Sequence, residues 1–215
     1  MEHDITAEAG YQRWAASYDA VENPTRDLDA KVLRRVLTSL EAGHVVELGC
    51  GTGKNTAWLA ERYPRVTALD LSEAMLDKAR ARVPHGHVAF LRHDLRDPLP
   101  LDDASAELAT FDLVLEHIET TAPLFVEAAR VLRPGGRLFL CEYHPYRQLE
   151  GRQARFVDPE SGRETLVEAY VHSVSEFLNS GIAAGFSVER VDEWADETPA
   201  SDRSLPRLFS VLFKR

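Results

Sequence analysis

"HVVELGCGTGKNTAWLAERY", residues 44–63, carries the pattern that decides the fold. The apolar run at its start predicts a buried strand over 44–48, and residues 54–63 have the spacing of a helix that Pro64 ends. Between these elements lie three glycines, at positions 49, 51 and 53. Glycine has no Cβ, so the backbone can approach a ligand closely. The segment is therefore predicted to be a strand, a ligand-binding loop and a helix.

The next strand supports this interpretation. "RVTALD" (65–70) ends in Asp70, and ligands of open α/β sheets bind at the carboxyl ends of the strands. An acid about 20 residues after the first loop glycine is suited to accept hydrogen bonds from ribose hydroxyls. These features predict a nucleoside-containing ligand.

The loop departs from two common phosphate-binding patterns. Its third glycine comes one residue too early for the dinucleotide pattern G-x-G-x-x-G, and Asn55 after Lys54 excludes the phosphate-binding loop G-x-x-x-x-G-K-[ST]. Glu47, just before the loop, disfavours a pyrophosphate and favours a ligand that carries an ammonium group.

The rest of the chain alternates strand and helix patterns. Further strands are predicted over 87–94, 111–118, 137–143, 186–194 and 207–213, and helices over 28–40, 73–83, 121–132 and 174–185. Strands joined by helices indicate an α/β fold: a doubly wound, Rossmann-like, mostly parallel sheet of seven strands with helices on both faces. No helix separates the last two strands, so the last strand region is predicted to be antiparallel, at or near the edge.

Length and composition indicate one soluble domain. We interpret residues 1–215 as a single domain, with a helical cap (1–42), a ligand-binding core (44–143), an insertion that forms a substrate site or lid (144–172), and a final helix and strands (173–215). The N-terminus lacks the pattern of a signal peptide, and no run of about 18 apolar residues predicts a membrane span. The expected location is the cytoplasm. The net charge of −10 disfavours a nucleic-acid partner.

Several segments resemble, in chain order, the motifs of class I S-adenosylmethionine-dependent methyltransferases. They are "YQRWAASYD", "VVELGCGTGKNT", "VTALDLSEAML", "HDLRDPLP", "FDLVLEHI" and "EAARVLRPGGRLFLCEYHP". The resemblance implies S-adenosylmethionine as the cofactor. It assigns cofactor contacts to Tyr11 and Tyr18 in the leading helix, Glu47, Gly49, Cys50 and Gly51 at the loop, Asp70 at the ribose, Leu71 and Met75 at the adenine, Asp94 and Leu95 at the adenine edge, and the Leu115 carbonyl at the ammonium group.

Methyl transfer needs an aligned acceptor atom, the exclusion of water and, for a protonated acceptor, a group that takes a proton. Histidine ordinarily titrates near neutral pH, so His117 after the fourth strand is the first candidate and His144 after the fifth is the second. The candidate substrate contacts are Trp14, Glu116, Tyr143, Tyr146, Arg147 and Tyr170. No spacing predicts a metal site.

The expected acceptor is a small molecule with a nitrogen, oxygen or sulfur nucleophile. Two alternatives stay open from the sequence: a methyltransferase that acts on RNA or protein, and a non-catalytic cofactor-binding module that regulates another enzyme.

Overall fold

The computed structural model describes residues 4–196 and 205–215. Its helices are α1 (Ala7–Trp14), α2 (Pro24–Leu37), α3 (Lys54–Arg62), α4 (Glu73–Arg82), α5 (Ala122–Val131), α6 (Pro145–Leu149) and α7 (Val174–Ala183). Its strands are β1 (Val45–Leu48), β2 (Val66–Asp70), β3 (Val88–Arg92), β4 (Ala106–Asp112), β5 (Leu132–Tyr143), β6 (Arg155–Val157), β7 (Glu164–Leu166), β8 (Ser187–Trp194) and β9 (Leu208–Lys214).

The central sheet has seven strands in the order β3-β2-β1-β4-β5-β9-β8. Strands β1 to β5 pair in parallel, and β9 pairs antiparallel with β5 on one side and β8 on the other. The predicted fold class is confirmed, including the antiparallel strand near the edge. The strand order reverses between β1 and β4, so the fold has its ligand-binding crevice at the carboxyl ends of these two strands.

Both faces of the sheet are buried under helices. One apolar cluster packs Leu48 and Phe111 of the sheet against Phe125 of α5 and Phe177 of α7. The cluster on the other face includes Leu33 of α2. Side-chain oxygens accept hydrogen bonds from the first backbone N–H groups of several helices, as Ser72 does at α4. No helix within the described residues is long and apolar enough to cross a membrane.

The fourth strand differs from its predicted position of 111–118. It spans Ala106–Asp112 and stops where Leu113 adopts a positive φ of 54°. The next two backbone N–H groups, of Val114 and Leu115, donate to the carboxylate of Glu142 instead of to a neighbouring strand. A short 3₁₀ turn, Leu115–His117, follows. The prediction was wrong because the apolar run continues into a loop whose hydrogen bonds a side chain satisfies.

The insertion between β5 and α7 has secondary structure of its own. It contains α6 and a two-stranded hairpin, β6–β7. Trp14 of α1 stacks on Phe156 of β6, with ring centroids 5.3 Å apart, and Val167 completes the same apolar cluster. The N-terminal helix and the insertion therefore pack as one layer over the carboxyl ends of the strands.

Candidate active site

The glycine loop bends sharply between β1 and α3. Gly49 has a φ of +88°, and a Cβ on it would lie only 2.5 Å from the side chain of Val114. The backbone N–H groups of Gly49 and Cys50 both donate to the carbonyl of Leu69, at 2.8 and 2.9 Å. A Cβ on Gly51 would meet no atom within 4 Å. The loop is thus held on one side by β2 and by the loop after β4, and at Gly51 its backbone is open to a ligand.

Gly49→Ala is expected to lower stability by about 2–4 kcal/mol, because a side chain strains the left-handed backbone and also overlaps Val114. Urea unfolding measures the change. Gly86→Ala is the matched control, since a Cβ there meets nothing within 4 Å and its backbone is ordinary. Equal midpoints for the two variants would contradict this account of the loop.

Asp70 connects the loop to the following helix. Its carboxylate accepts hydrogen bonds from the N–H of Gly51, at 2.8 Å, and from the N–H of Ser72, at 2.9 Å. Burial raises the pKa of Asp70, although these hydrogen bonds act in the opposite direction. The glycine loop and Asp70 both line one large cavity at the carboxyl ends of β1, β2 and β4.

Three acids form the inner wall of this cavity. Asp29 from α2 and Glu47 from β1 are buried, and Asp112 at the end of β4 has both carboxylate oxygens buried. Asn55 donates to one oxygen of Asp29, at 2.8 Å, and Thr56 donates to Glu47, at 2.5 Å. The second oxygen of Asp29 and both oxygens of Asp112 have no hydrogen-bond donor within the described part of the chain.

This arrangement perturbs the acids strongly. Burial raises the pKa of Glu47 to about 8 and that of Asp29 to about 6. Burial, followed by repulsion from Asp29 and Glu47, also raises the pKa of Asp112 well above its usual range. A bound cation would relieve both the desolvation and the repulsion. The inner wall is therefore built for a positively charged group.

Two leucines also line this cavity, beside an ion pair. Leu71 and Leu95 line it, together with Asp94, whose carboxylate is held in a two-point ion pair by Arg96. This ion pair lowers the pKa of Asp94. Met75 is fully buried and does not line the cavity, so the structure places it in the core.

The structure does not bring Leu115 to the cavity. Its carbonyl accepts from the N–H of Ile118, and its side chain is fully buried. Because β4 ends earlier than predicted, Asp112, Leu113 and Val114 occupy the position expected for Leu115. Cys50 lines the cavity, but burial raises the pKa of its thiol well above the usual range, which disfavours a nucleophilic thiolate.

A second cavity of ≈ 150 Å³ adjoins the first beneath α1 and the insertion. Tyr11, Tyr18 and Arg26 line both cavities, whereas Trp14, Glu116 and Tyr143 line only the second. Arg26 stacks on the ring of Tyr18, 3.9 Å from its centroid, and its buried Nε has no hydrogen-bond partner in residues 4–196 and 205–215. Of its other nitrogens, one donates to the carbonyl of Val21 and one lies 4.0 Å from the carboxylate of Asp19. Aromatic rings and a guanidinium with one unpaired nitrogen thus lie where the cavities meet.

His117 lies at this junction. Its Nε2 is 2.8 Å from the hydroxyl of Tyr11, and its Nδ1 is 2.5 Å from the carbonyl oxygen of Glu168. It lines the first cavity. The structure therefore brings His117 together with the leading helix and the insertion.

The other candidates after β5 lie elsewhere. His144 is buried at the start of α6, where its Nδ1 accepts from the N–H of Tyr146 and its Nε2 lies 3.1 Å from Glu193. Arg147 donates to the carbonyl of Leu205. Neither these residues nor Tyr146 and Tyr170 line either cavity.

The sequence analysis missed Asp29, Asp112 and Arg26. Asp29 had a readable signal, because it shares the buried face of α2 with Val32, Leu33 and Val36, where a charge is unusual. Asp112 ends a strand just as Asp70 does, but the misplaced fourth strand concealed this equivalence. Nothing in the sequence marked Arg26.

A doubly wound sheet, a glycine loop at its switch point and an acid at the end of the next strand define a nucleoside-binding Rossmann-like protein. Comparison with known proteins narrows this class. Residues 46–140 match the model of a methyltransferase domain family. An uncharacterized methyltransferase of Emericella nidulans is 31% identical over 87% of this chain and 78% of its own length.

Two further relatives agree. The crystal structure of an S-adenosylmethionine-dependent methyltransferase from Mesorhizobium loti is 29% identical, with a TM-score of 0.72 over 86% of this chain and 96% of that one. A trans-aconitate 2-methyltransferase of Acidovorax sp. is 40% identical over 97 residues, which are 44% of this chain and 36% of the relative. The chain belongs to the class I S-adenosylmethionine-dependent methyltransferases, as its motifs predicted.

Proposed function

We propose that this methyltransferase binds S-adenosylmethionine in the first cavity and methylates a nitrogen, oxygen or sulfur atom of a small molecule in the second. The observation that carries the proposal is a cluster of three acids in a glycine-loop cavity that adjoins another cavity. Asp29 and Asp112 have buried carboxylate oxygens without a partner among the described residues, and Glu47 is buried beside them. The cofactor, when bound, supplies a methyl group that is already activated on a positively charged sulfur.

The residues of the first cavity fit this cofactor. Asp29 and Asp112, with Glu47 behind them, would hold its ammonium group, and this contact would satisfy oxygens that otherwise have no partner. Arg26 would pair with its carboxylate through Nε, the guanidinium nitrogen that has no partner among the described residues.

The other expected contacts with the cofactor follow from the positions of the residues that line the first cavity. Asp70 would accept hydrogen bonds from the ribose hydroxyls, while Leu71 and Leu95 would flank the adenine. Asp94 would accept from the adenine amino group beside its ion pair with Arg96. The loop residues Gly49, Cys50 and Gly51 would lie against the methionine portion of the cofactor.

Three features favour a small acceptor. The second cavity lies beneath α1 and the insertion, and aromatic side chains share its walls with polar ones. The net charge of −10 opposes binding to a nucleic-acid backbone. The Acidovorax relative is named for trans-aconitate, a small molecule.

The chain's own residues would position the acceptor and move its proton. The aromatic side chains of Tyr11, Trp14 and Tyr143 would orient the acceptor and exclude water. Glu116 would offer a carboxylate in the same cavity. His117 would be the base that finally takes up the proton that the acceptor loses.

Methyl-labelled S-adenosylmethionine tests the proposal when it is incubated with separate small-molecule, RNA and protein fractions of a cell extract. We expect label in the small-molecule fraction. Label confined to RNA or protein would contradict the proposed acceptor class. Binding of S-adenosylhomocysteine with no transfer to any fraction would favour a regulatory module.

Cofactor affinity is expected to rise with pH between about 6 and 8. Asp29 and Glu47 have raised pKa values in this window, so without ligand they hold protons that a bound ammonium group would displace. Each proton released strengthens binding by up to about tenfold per pH unit. Calorimetry of S-adenosylhomocysteine in buffers of different ionisation enthalpy counts the protons.

Adenosine serves as the control ligand because it lacks the ammonium group, and its affinity should change little with pH. Glu47→Gln should reduce the number of protons that S-adenosylhomocysteine releases. Proton uptake, or equal pH dependence for the two ligands, would contradict the role of the acid cluster.

A further inference from the structure

The hydroxyl of Tyr11 stands between His117 and the second cavity. Tyr11 lines both cavities, whereas His117 lines the first and is absent from the walls of the second. The two rings meet edge to face, 5.1 Å apart and at 81°, which aims the hydroxyl at Nε2 from 2.8 Å. An acceptor in the second cavity therefore meets Tyr11 before it can meet the imidazole.

The hydrogen bonds of His117 determine which of its nitrogens carries a proton. A carbonyl oxygen can only accept, so the contact of 2.5 Å with the carbonyl of Glu168 requires hydrogen on Nδ1. In the neutral imidazole, Nε2 then has a lone pair, which accepts the hydroxyl hydrogen of Tyr11. The basic nitrogen of His117 is thus already occupied by Tyr11.

We propose that Tyr11 is a catalytic residue that relays the acceptor's proton to His117. The acceptor atom forms its bond to the methyl carbon while the carbon–sulfur bond breaks and its electron pair stays on sulfur. The acceptor's proton passes to the oxygen of Tyr11 as the hydroxyl hydrogen of Tyr11 passes to Nε2. The positive charge that leaves the sulfur ends on the imidazolium, so charge and protons balance. This inference rests on the proposed function.

The surroundings suit a relay better than a resident tyrosinate. Burial raises the pKa of Tyr11 well above its usual value, so the hydroxyl stays protonated unless it receives one proton as it gives another. Glu116 places a carboxylate oxygen 3.7 Å from Nε2, where it would stabilise the imidazolium. Tyr18 packs edge-on against Tyr11, and Asp70 and Arg26 complete the charges around the pair.

Nuclear magnetic resonance tests the relay without any acceptor. In ¹⁵N-histidine-labelled protein, with or without S-adenosylhomocysteine, the neutral ring of His117 should carry its proton on Nδ1. Tyr11→Phe should move the Nε2 resonance toward that of a nitrogen without a hydrogen bond. Tyr63→Phe is the control, because it removes another buried hydroxyl, bonded to the carbonyls of Leu37 and Leu40 and far from both cavities. A proton on Nε2, or a resonance that Tyr11→Phe leaves in place, would overturn the proposal.

Kinetics of methyl transfer test the catalytic role of Tyr11. The acceptor is the small-molecule fraction in which label appears, and the donor is methyl-labelled S-adenosylmethionine. Tyr11→Phe should lower kcat about 10²-fold or more, with S-adenosylhomocysteine affinity within about 3-fold of the wild type. Adding His117→Ala to this variant should lower kcat by at most about 3-fold more, because the proton relay is already interrupted. A rise in KM alone for Tyr11→Phe would overturn the relay. A double variant whose loss of kcat is the product of the two single losses would also overturn it. These outcomes differ from failure of the proposed function, in which the wild-type protein itself transfers no methyl group.

Discussion

His117→Ala is expected to lower turnover by about 10²–10⁴-fold while the affinity for S-adenosylhomocysteine changes little. The imidazole is the only base whose nitrogen is bonded to Tyr11 within the described residues, so its loss leaves the acceptor's proton without a destination. Initial rates at saturating cofactor, together with calorimetry on the same preparation, separate turnover from binding.

His85→Ala is the matched control, since this histidine is exposed and lines neither cavity. A variant of His117 with full turnover at limiting and saturating acceptor would remove the base from the mechanism. A raised KM with intact turnover would leave His117 as an acceptor contact only. His144 offers no alternative base, because its ring lies outside both cavities.

Asp70→Ala is expected to weaken S-adenosylhomocysteine binding by about 2–4 kcal/mol, which is roughly 30- to 1000-fold in Kd. The loss combines two charge-assisted hydrogen bonds to the ribose with the anchor that the carboxylate gives to the N–H of Gly51. Calorimetry measures the change in affinity, and thermal unfolding reports whether the loop is also disturbed.

Asp70→Asn separates the loss of the charge from the loss of the side chain, because the amide keeps the shape and one acceptor oxygen but removes the charge. Asp77→Ala is the control, since this aspartate is exposed on α4 and pairs only with Arg80 among the interactions resolved for it. Binding of S-adenosylhomocysteine to Asp70→Ala with wild-type affinity would contradict the proposed ribose contact.

The sequence predicted the central part of the fold well because its local signals agree. β1, the glycine loop and α3 are adjacent in the chain, and their apolar spacing and glycines point to one structure. The predicted β2 ends at Asp70 as observed. The strands β8 and β9 also lie within one residue of their predicted bounds.

The fourth strand shows where local patterns fail. Apolar residues continue past Asp112 into the loop, so periodicity cannot tell strand from turn there. The strand ends because Glu142, distant in sequence, captures the next two N–H groups. These two hydrogen bonds exist only after β4 and β5 have paired.

The sequence itself predicted the family, the doubly wound sheet, the binding loop and the candidate residues Asp70 and His117. All of these depend on residues that are close together in the chain. Only the tertiary structure placed Asp29 and Arg26 of α2 against the strand ends, moved Leu115 and Met75 into the core, and separated His117 from His144. It also put Tyr11 and Glu168 on opposite sides of one imidazole. Such choices depend on which distant segments pack together, and burial and unsatisfied hydrogen bonds acquire their energies only in that packed arrangement.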